Sequence, residues 1–198
     1  MQNIKTVLII TTILFLALSL YFLNKKTKIE NGKRQLFEQI ATMSVKEFSF
    51  DLNNTMTGRK ATNAVCVTQD NDEKYLPELL KGSPILIYRY TQVGGCRPCY
   101  EAQIRLIQEI FKYIPQSVAI LATYNNKRDF FITARSNVSE VSMFHIPSNA
   151  FDWQFEELGI PYFFVLHPCF RISNIFVPNE HEPELTRRYL ESIKRLLQ

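Results

Sequence analysis

The sequence predicts an α/β domain, a central mixed β-sheet flanked by helices, behind a single N-terminal transmembrane helix. Three observations predict it. Residues 7–23 form a seventeen-residue run without a charge, followed by Lys25, Lys26 and Lys28. Residues 85–90 read as a buried-type strand and 117–124 as a continuous apolar run of strand length, each followed by a helical segment, as expected of strands in the centre of a sheet. Residues 158–166 form a third apolar run that meets a tight turn and a return run at 171–177, which adds an antiparallel hairpin and makes the sheet mixed.

The apolar run at 7–23 is near the lower length limit for crossing a bilayer. Tyr21 and Phe22 suit the interface, and the lysines behind them stop further insertion. A cleaved signal peptide is the rival reading, with Lys5 ahead of the apolar run and Ala17-Leu18-Ser19 as a weak cleavage site. The expected organisation is an anchor at 1–24, a basic linker and stem helix at 25–47, and one folded domain at 48–198. About 150 residues suffice for a single core.

The elements of that domain follow in order. Leu36, Phe37, Ile40 and Ala41 make the stripe of the stem helix. Phe48-Ser-Phe-Asp-Leu alternates and predicts the start of a strand, and 64–68 predicts a second strand with Cys66 inside it as a small core residue. Residues 75–80 read as a short helix or turn before Gly82-Ser83-Pro84. After the strand at 85–90, Ala102, Ile104, Leu106, Ile107, Ile110, Phe111 and Ile114 form an amphipathic stripe that Pro115 ends. A helix around 127–134, a strand at 141–146 and a short helical turn at 151–158 come next. Ile160-Pro161 introduces the strand of the hairpin. His167-Pro168-Cys169-Phe170 is its turn, and 184–197 closes the chain as a helix with Leu185, Tyr189, Ile193 and Leu196 on one face.

Composition bounds the chemistry. The 198 residues are 46% hydrophobic and 21% charged, an ordinary globular balance. The net charge of +4 owes most to residues 25–34, with five Lys or Arg against one Glu, so nothing indicates a nucleic-acid partner. The four cysteines, Cys66, Cys96, Cys99 and Cys169, are too few for a disulfide scaffold. Only Cys96 and Cys99 have a motif spacing. With no second CxxC and no His pair at finger spacing, no structural zinc is expected. No nucleotide fingerprint or phosphate loop is present, so no metal and no cofactor are called for.

Cys96-Arg97-Pro98-Cys99 therefore carries the chemistry. A buried-type strand delivers two cysteines, three apart, to the first turn of a helix, where they share a face within disulfide reach. The unsatisfied N–H groups and positive end of the helix favour a thiolate on Cys96. Arg97 adds positive charge that lowers the same pKa, and Pro98 is tolerated because a first-turn residue has no intrahelical N–H bond to lose. The residues read as a redox dithiol.

The element order, with Cys96-Arg97-Pro98-Cys99 on its helix and Gly159-Ile160-Pro161-Tyr162 about sixty residues later, resembles the thioredoxin-like fold. More narrowly, residues 48–198 are similar to the membrane-anchored, extracytoplasmic thioredoxin-like proteins of the TlpA/ResA group. The resemblance implies a thiol–disulfide oxidoreductase in which Cys96 attacks a substrate disulfide and Cys99 resolves the mixed disulfide. It implies a cis Pro161 beside the dithiol, with the Ile160 backbone presented to an incoming peptide. It also implies that disulfides of exported proteins are reduced with electrons from a membrane redox partner, on the periplasmic side. The positive-inside count opposes that placement, with one Lys before the span and five Lys or Arg after it. The chain departs from the group in having Gly94-Gly95 before Cys96, no clear acidic counterpart near Cys99, and His167-Pro168-Cys169-Phe170 in place of an Asp-Gly turn. Two rival readings are a copper chaperone, with His167 or Cys169 joining Cys96 and Cys99, and a redox-inactive binding module on the same fold.

Overall fold

The computed structural model describes residues 18–19, 21, 25–28, 31, 45–92, 97–136, 140–148 and 150–198. The chain divides into two units, 1–42 and 43–198. The described residues of the first are helical. Most of the predicted span at 7–23 and the stem helix at 33–45 lie outside the described residues, among which no helix is long and apolar enough to cross a membrane.

The second unit starts with a departure from expectation. Residues 48–52 are part of helix α1 (Val45–Met56) and not of a strand. The alternation Phe48, Phe50, Leu52 fits period 2, but Phe48, Leu52 and Met56 also fit i, i+4, i+8. The helical set is buried while Phe50 is 68% exposed, so the helical period decides. Strands β1 (Val65–Val67) and β2 (Glu73–Tyr75) form a short hairpin. β2 was not legible in the sequence, because all three of its residues are exposed and carry no apolar pattern. The turn between them has Asn71 at φ +68°, a left-handed position that Asn tolerates.

The remaining elements follow the sequence closely. They are β3 (Ile85–Thr91), α2 (Arg97–Ile110), β4 (Val118–Thr123), α3 (Lys127–Ser136), β5 (Ser142–His145), β6 (Tyr162–Leu166), β7 (Ile172–Phe176) and α4 (Pro183–Leu197). Single 3₁₀ turns occupy Leu76–Leu79, Pro115–Ser117 and Gln154–Leu158. The seven strands make one sheet in the order β2-β1-β5-β4-β3-β6-β7. β3, β4 and β5 run parallel, β6 is antiparallel to β3, and β7 is antiparallel to β6.

β3 is the hub, paired with β4 on one side and β6 on the other and buried on both faces. One face of the sheet, with Leu86, Tyr88, Tyr90, Ile120 and Phe163, shares a core cluster with Ile104 and Ile107 of α2 and Leu190 and Ile193 of α4. The predicted α4 stripe is displaced: Thr186, Leu190 and Ile193 are buried, whereas Leu196 is 59% exposed. The helix meets both the sheet and α2, so its buried line sits between two apolar edges. On the other face, Trp153, Phe155, Tyr162 and Phe164 form an aromatic cluster.

Candidate functional site

The topology brings three predicted features to one end of the sheet. β3 and β4 run parallel, so both end beside the start of α2. β6 runs the other way and pairs Tyr162 with Arg89, so its first residue lies at that same end. Cys99 is the third residue of α2, and Ile160 and Pro161 immediately precede β6. The sulfur of Cys99 at a helix start, a strand end and a proline loop therefore converge, although cysteine and proline are about sixty residues apart in the chain.

Cys99 is disulfide-bonded, and Cys66 and Cys169 are free. Cys96, with Val93, Gly94 and Gly95, lies outside the described residues, and so does its predicted role as attacking thiolate. Pro98 is the exposed second residue of α2, consistent with a first-turn proline. Arg97 is also exposed, but its guanidinium turns along the helix and its Nε donates to Glu101 Oε1 at 2.7 Å. That hydrogen bond and the Glu101 charge raise the Arg97 pKa. Arg97 therefore shares its charge with a carboxylate one turn away, which weakens the effect expected on the dithiol.

Glu180 supplies the feature that the sequence reading did not find. The Cys99 Sγ lies 3.0 Å from Glu180 Oε2, 81 residues away. The loop carrying Glu180 is built for that placement. The Val177 N–H donates to Ser49 Oγ at 3.0 Å, which pins the end of β7 to α1. Asn179 then closes a turn, accepting the His181 N–H on Oδ1 at 3.0 Å and the Glu182 N–H on its carbonyl at 3.2 Å. Pro183 begins α4 directly afterwards. Glu180 sits at the apex, with His181 Nε2 3.7 Å from its other oxygen. An Asn four residues before a first-turn proline marks the turn in sequence, but nothing local says which side chain it aims at.

Under the start of α2 lies a tyrosine floor. Tyr90 stacks on Tyr100 at a centroid distance of 4.6 Å, and the Tyr90 and Tyr124 hydroxyls meet at 2.8 Å. Burial first, then Tyr124, pushes the Tyr90 phenol well above its ordinary range. Behind the proline loop, Arg89 and Glu156 form an ion pair at 3.0 Å whose side chains are only 3% and 4% exposed. Arg89 Nη2 also donates to Glu156 Oε2 at 3.0 Å, Nη1 donates to the Tyr90 carbonyl at 2.6 Å, and the Tyr162 hydroxyl donates to Glu156. This network ties the 3₁₀ turn at Gln154–Leu158 to β3 just before the Ile160-Pro161 loop.

One expectation is corrected and one rival reading loses its ligand set. Among the described residues no peptide bond is cis, so Ile160–Pro161 is trans. The reversal into β6 is made instead by Gly159, which caps the preceding turn at φ +67°. A left-handed glycine supplies a sharp turn at little cost, and trans is the preferred X–Pro isomer by about 0.5–1 kcal/mol. The copper set is also separated. His167 and Cys169 follow the far end of β6, where Leu166 pairs with Ile85 at the start of β3. At about 3.3 Å per residue they stand roughly 20 Å from the Pro161 end. His167 Nε2 is engaged there by Ser173 Oγ at 2.7 Å. Among the described residues no three His, Cys, Asp or Glu side chains cluster as metal ligands. Cys66 is fully buried in β1, and burial, aided by the Glu78 charge, pushes its thiol up to about 12. It is a core residue, as the sequence indicated.

No family model and no curated protein matches the chain. Solved structures do. The thioredoxin domain of a thiol-disulfide oxidoreductase from Bacteroides vulgatus is 14% identical, with a TM-score of 0.51 over 72% of this chain and 98% of its own. A candidate thiol:disulfide interchange protein DsbE from Chlorobium tepidum is also 14% identical, with a TM-score of 0.51 over 69% of this chain and 96% of its own. The peroxidoxin BcpB from Mycobacterium tuberculosis matches at 14% identity and a TM-score of 0.51, covering 70% and 97%. At this identity the likeness is one of fold, and the fold is thioredoxin-like.

Proposed function

We propose that this protein is a thiol–disulfide oxidoreductase that works through a Cys96–Cys99 dithiol. The observation that carries the reading is a disulfide-bonded Cys99 in the first turn of α2, at the end of the hub strand of a thioredoxin-like sheet. Of four cysteines, Cys66 and Cys169 are free, which supports Cys96 as the partner. Cys96 attacks a substrate disulfide as a thiolate, and Cys99 attacks Cys96 in turn and releases the reduced substrate. Ile160 and Pro161 offer backbone to the substrate peptide from the same end of the sheet. Arg97 and Pro98 shape the helix start beside Cys96.

The proposal extends to setting. The substrate is a disulfide-containing exported protein, and the reaction runs in the reducing direction. The domain is held at the periplasmic face by the anchor at 7–23 and receives electrons from a membrane redox partner. The ion pair between Arg97 and Glu101 supports that direction. A cation committed to a neighbouring carboxylate stabilises the Cys96 thiolate less, and a less stabilised reduced form makes a weaker oxidant.

The test is a reduction potential, measured on the full chain in detergent against glutathione buffers. A reversible two-electron couple toward the thioredoxin value of about −270 mV is expected, and it should vanish in Cys99→Ser. A value near −120 mV would reverse the direction, and the absence of any such couple would sink the dithiol reading.

A further inference from the structure

The structure sets the charged side chain of Glu180 against the sulfur of Cys99, and the dithiol chemistry leaves one task without an owner. When Cys99 resolves the mixed disulfide it must first lose a proton, because the thiolate is the attacking species. We propose that Glu180 takes that proton. The inference rests on the dithiol reading and assigns a catalytic residue to its second step.

The geometry suits the task. Glu180 Oε2 is 3.0 Å from the Cys99 Sγ, within direct transfer reach of a thiol at that position. The carboxylate is held there by the turn at Asn179, between a strand end pinned to Ser49 and the start of α4. It is 59% exposed and its second oxygen faces His181, itself 83% exposed, so a proton received from Cys99 has a short way out to solvent. The other charges near this helix start, Arg97 and Glu101, are engaged with each other at 2.7 Å. Among the described residues, Glu180 is therefore the carboxylate in contact with Cys99.

The step balances as follows. With Cys96 joined to a substrate sulfur, the Cys99 thiol gives its proton to Glu180. The Cys99 thiolate attacks the Cys96 Sγ, the Cys96–Cys99 bond forms, and the bond from Cys96 to the substrate sulfur breaks. The substrate thiolate leaves with the electron pair of that bond and is protonated by Glu180 or by water. Over the full cycle the dithiol is oxidised by two electrons and the substrate disulfide is reduced. A dithiol donor restores the starting state.

The test separates the two steps by colour. The reduced full chain, in a Cys169→Ser background to remove the exposed thiol, is mixed with one equivalent of dithiobis-nitrobenzoate. Attack by Cys96 releases one coloured thiolate, and resolution by Cys99 releases the second. Glu180→Gln is expected to slow the second phase by about a hundredfold, the low end of what a positioned proton acceptor contributes, with the first phase unchanged. Between about pH 6 and 8 the variant's second phase should climb roughly tenfold per pH unit, following the thiolate fraction of a free thiol, while that of the parent protein climbs less. Glu180→Asp should recover part of the rate. A second phase changed by less than about threefold in Glu180→Gln, or both phases slowed alike, would overturn the role of Glu180 while leaving the dithiol standing. A parent protein that never releases the second thiolate would overturn the dithiol reading itself.

Discussion

Replacing Glu156 by Gln removes a charge from beneath the proline loop without changing its shape, and the structure indicates a large cost. Arg89 and Glu156 are 3% and 4% exposed, so the guanidinium left behind cannot return to water. The amide offers an oxygen at only one of the two positions, so one of the two direct Arg89 hydrogen bonds at 3.0 Å is replaced by a clash between two N–H donors, and the Tyr162 hydroxyl loses its ionised acceptor. Breaking a buried pair from one side costs about 3–5 kcal/mol. Arg89 retains the Tyr90 carbonyl at 2.6 Å, which places the variant at the lower end, about 3 kcal/mol. For a domain of this size that corresponds to a fall in Tm of about 6–12 °C, read by circular dichroism on the full chain. Replacing the whole network in Arg89→Met, Glu156→Leu, Tyr162→Phe should restore most of the loss, because the desolvation cost of the pair disappears with its attraction. A single variant that melts within about 2 °C of the parent, or a triple variant less stable than the single, would refute this reasoning.

Two further outcomes follow from burial. Burial raises the phenols of Tyr88, Tyr90, Tyr162 and Tyr189 well above the ordinary value of about 10, so each stays neutral in the folded chain while the unfolded chain can ionise. A folded pKa raised above the unfolded one gives stability that is complete below about pH 10 and declines as pH rises beyond it, by up to about 1.4 kcal/mol per unit for each such phenol. Absorbance at the phenolate band should therefore rise for these residues in one step together with the loss of far-ultraviolet ellipticity; gradual ionisation in a still-folded protein would contradict it. With the dithiol oxidised, an alkylating reagent should label Cys169 quickly and leave Cys66, whose thiol is pushed up to about 12, untouched until denaturant is added. Peptide mass spectrometry reads both sites, and native labelling of Cys66 would show that β1 opens.

Much of the domain is legible in the chain because the signals are local. Residues 85–91 are apolar but for Arg89 and Thr91, residues 118–123 are an apolar run of strand length, the stripe of α2 has helical spacing, and Ile160-Pro161 opens a strand wherever the rest of the sheet lies. The spacing of the CxxC and its place at a helix start are what suggest a redox dithiol, and both are local. Phe48-Ser-Phe-Asp-Leu is the counterexample. It satisfies both periods, and only the packing of Phe48, Leu52 and Met56 against their surroundings selects the helix. The same holds for β2, whose polar residues become a strand by pairing with β1.

The sequence by itself determined the α/β class, the order of the elements from β3 onward and the placement of Cys99 at the start of a helix, since periodicity, turn residues and motif spacing act over a few residues. Tertiary structure decided what surrounds that cysteine. It let Gly159 rather than a cis bond reverse the chain, placed His167 and Cys169 at the opposite end of the sheet, and set Glu180 on the sulfur of Cys99. Each of these depends on contacts or charge pairs that form only once the sheet has its order and α4 has its seat, and no local pattern encodes a contact that spans 81 residues.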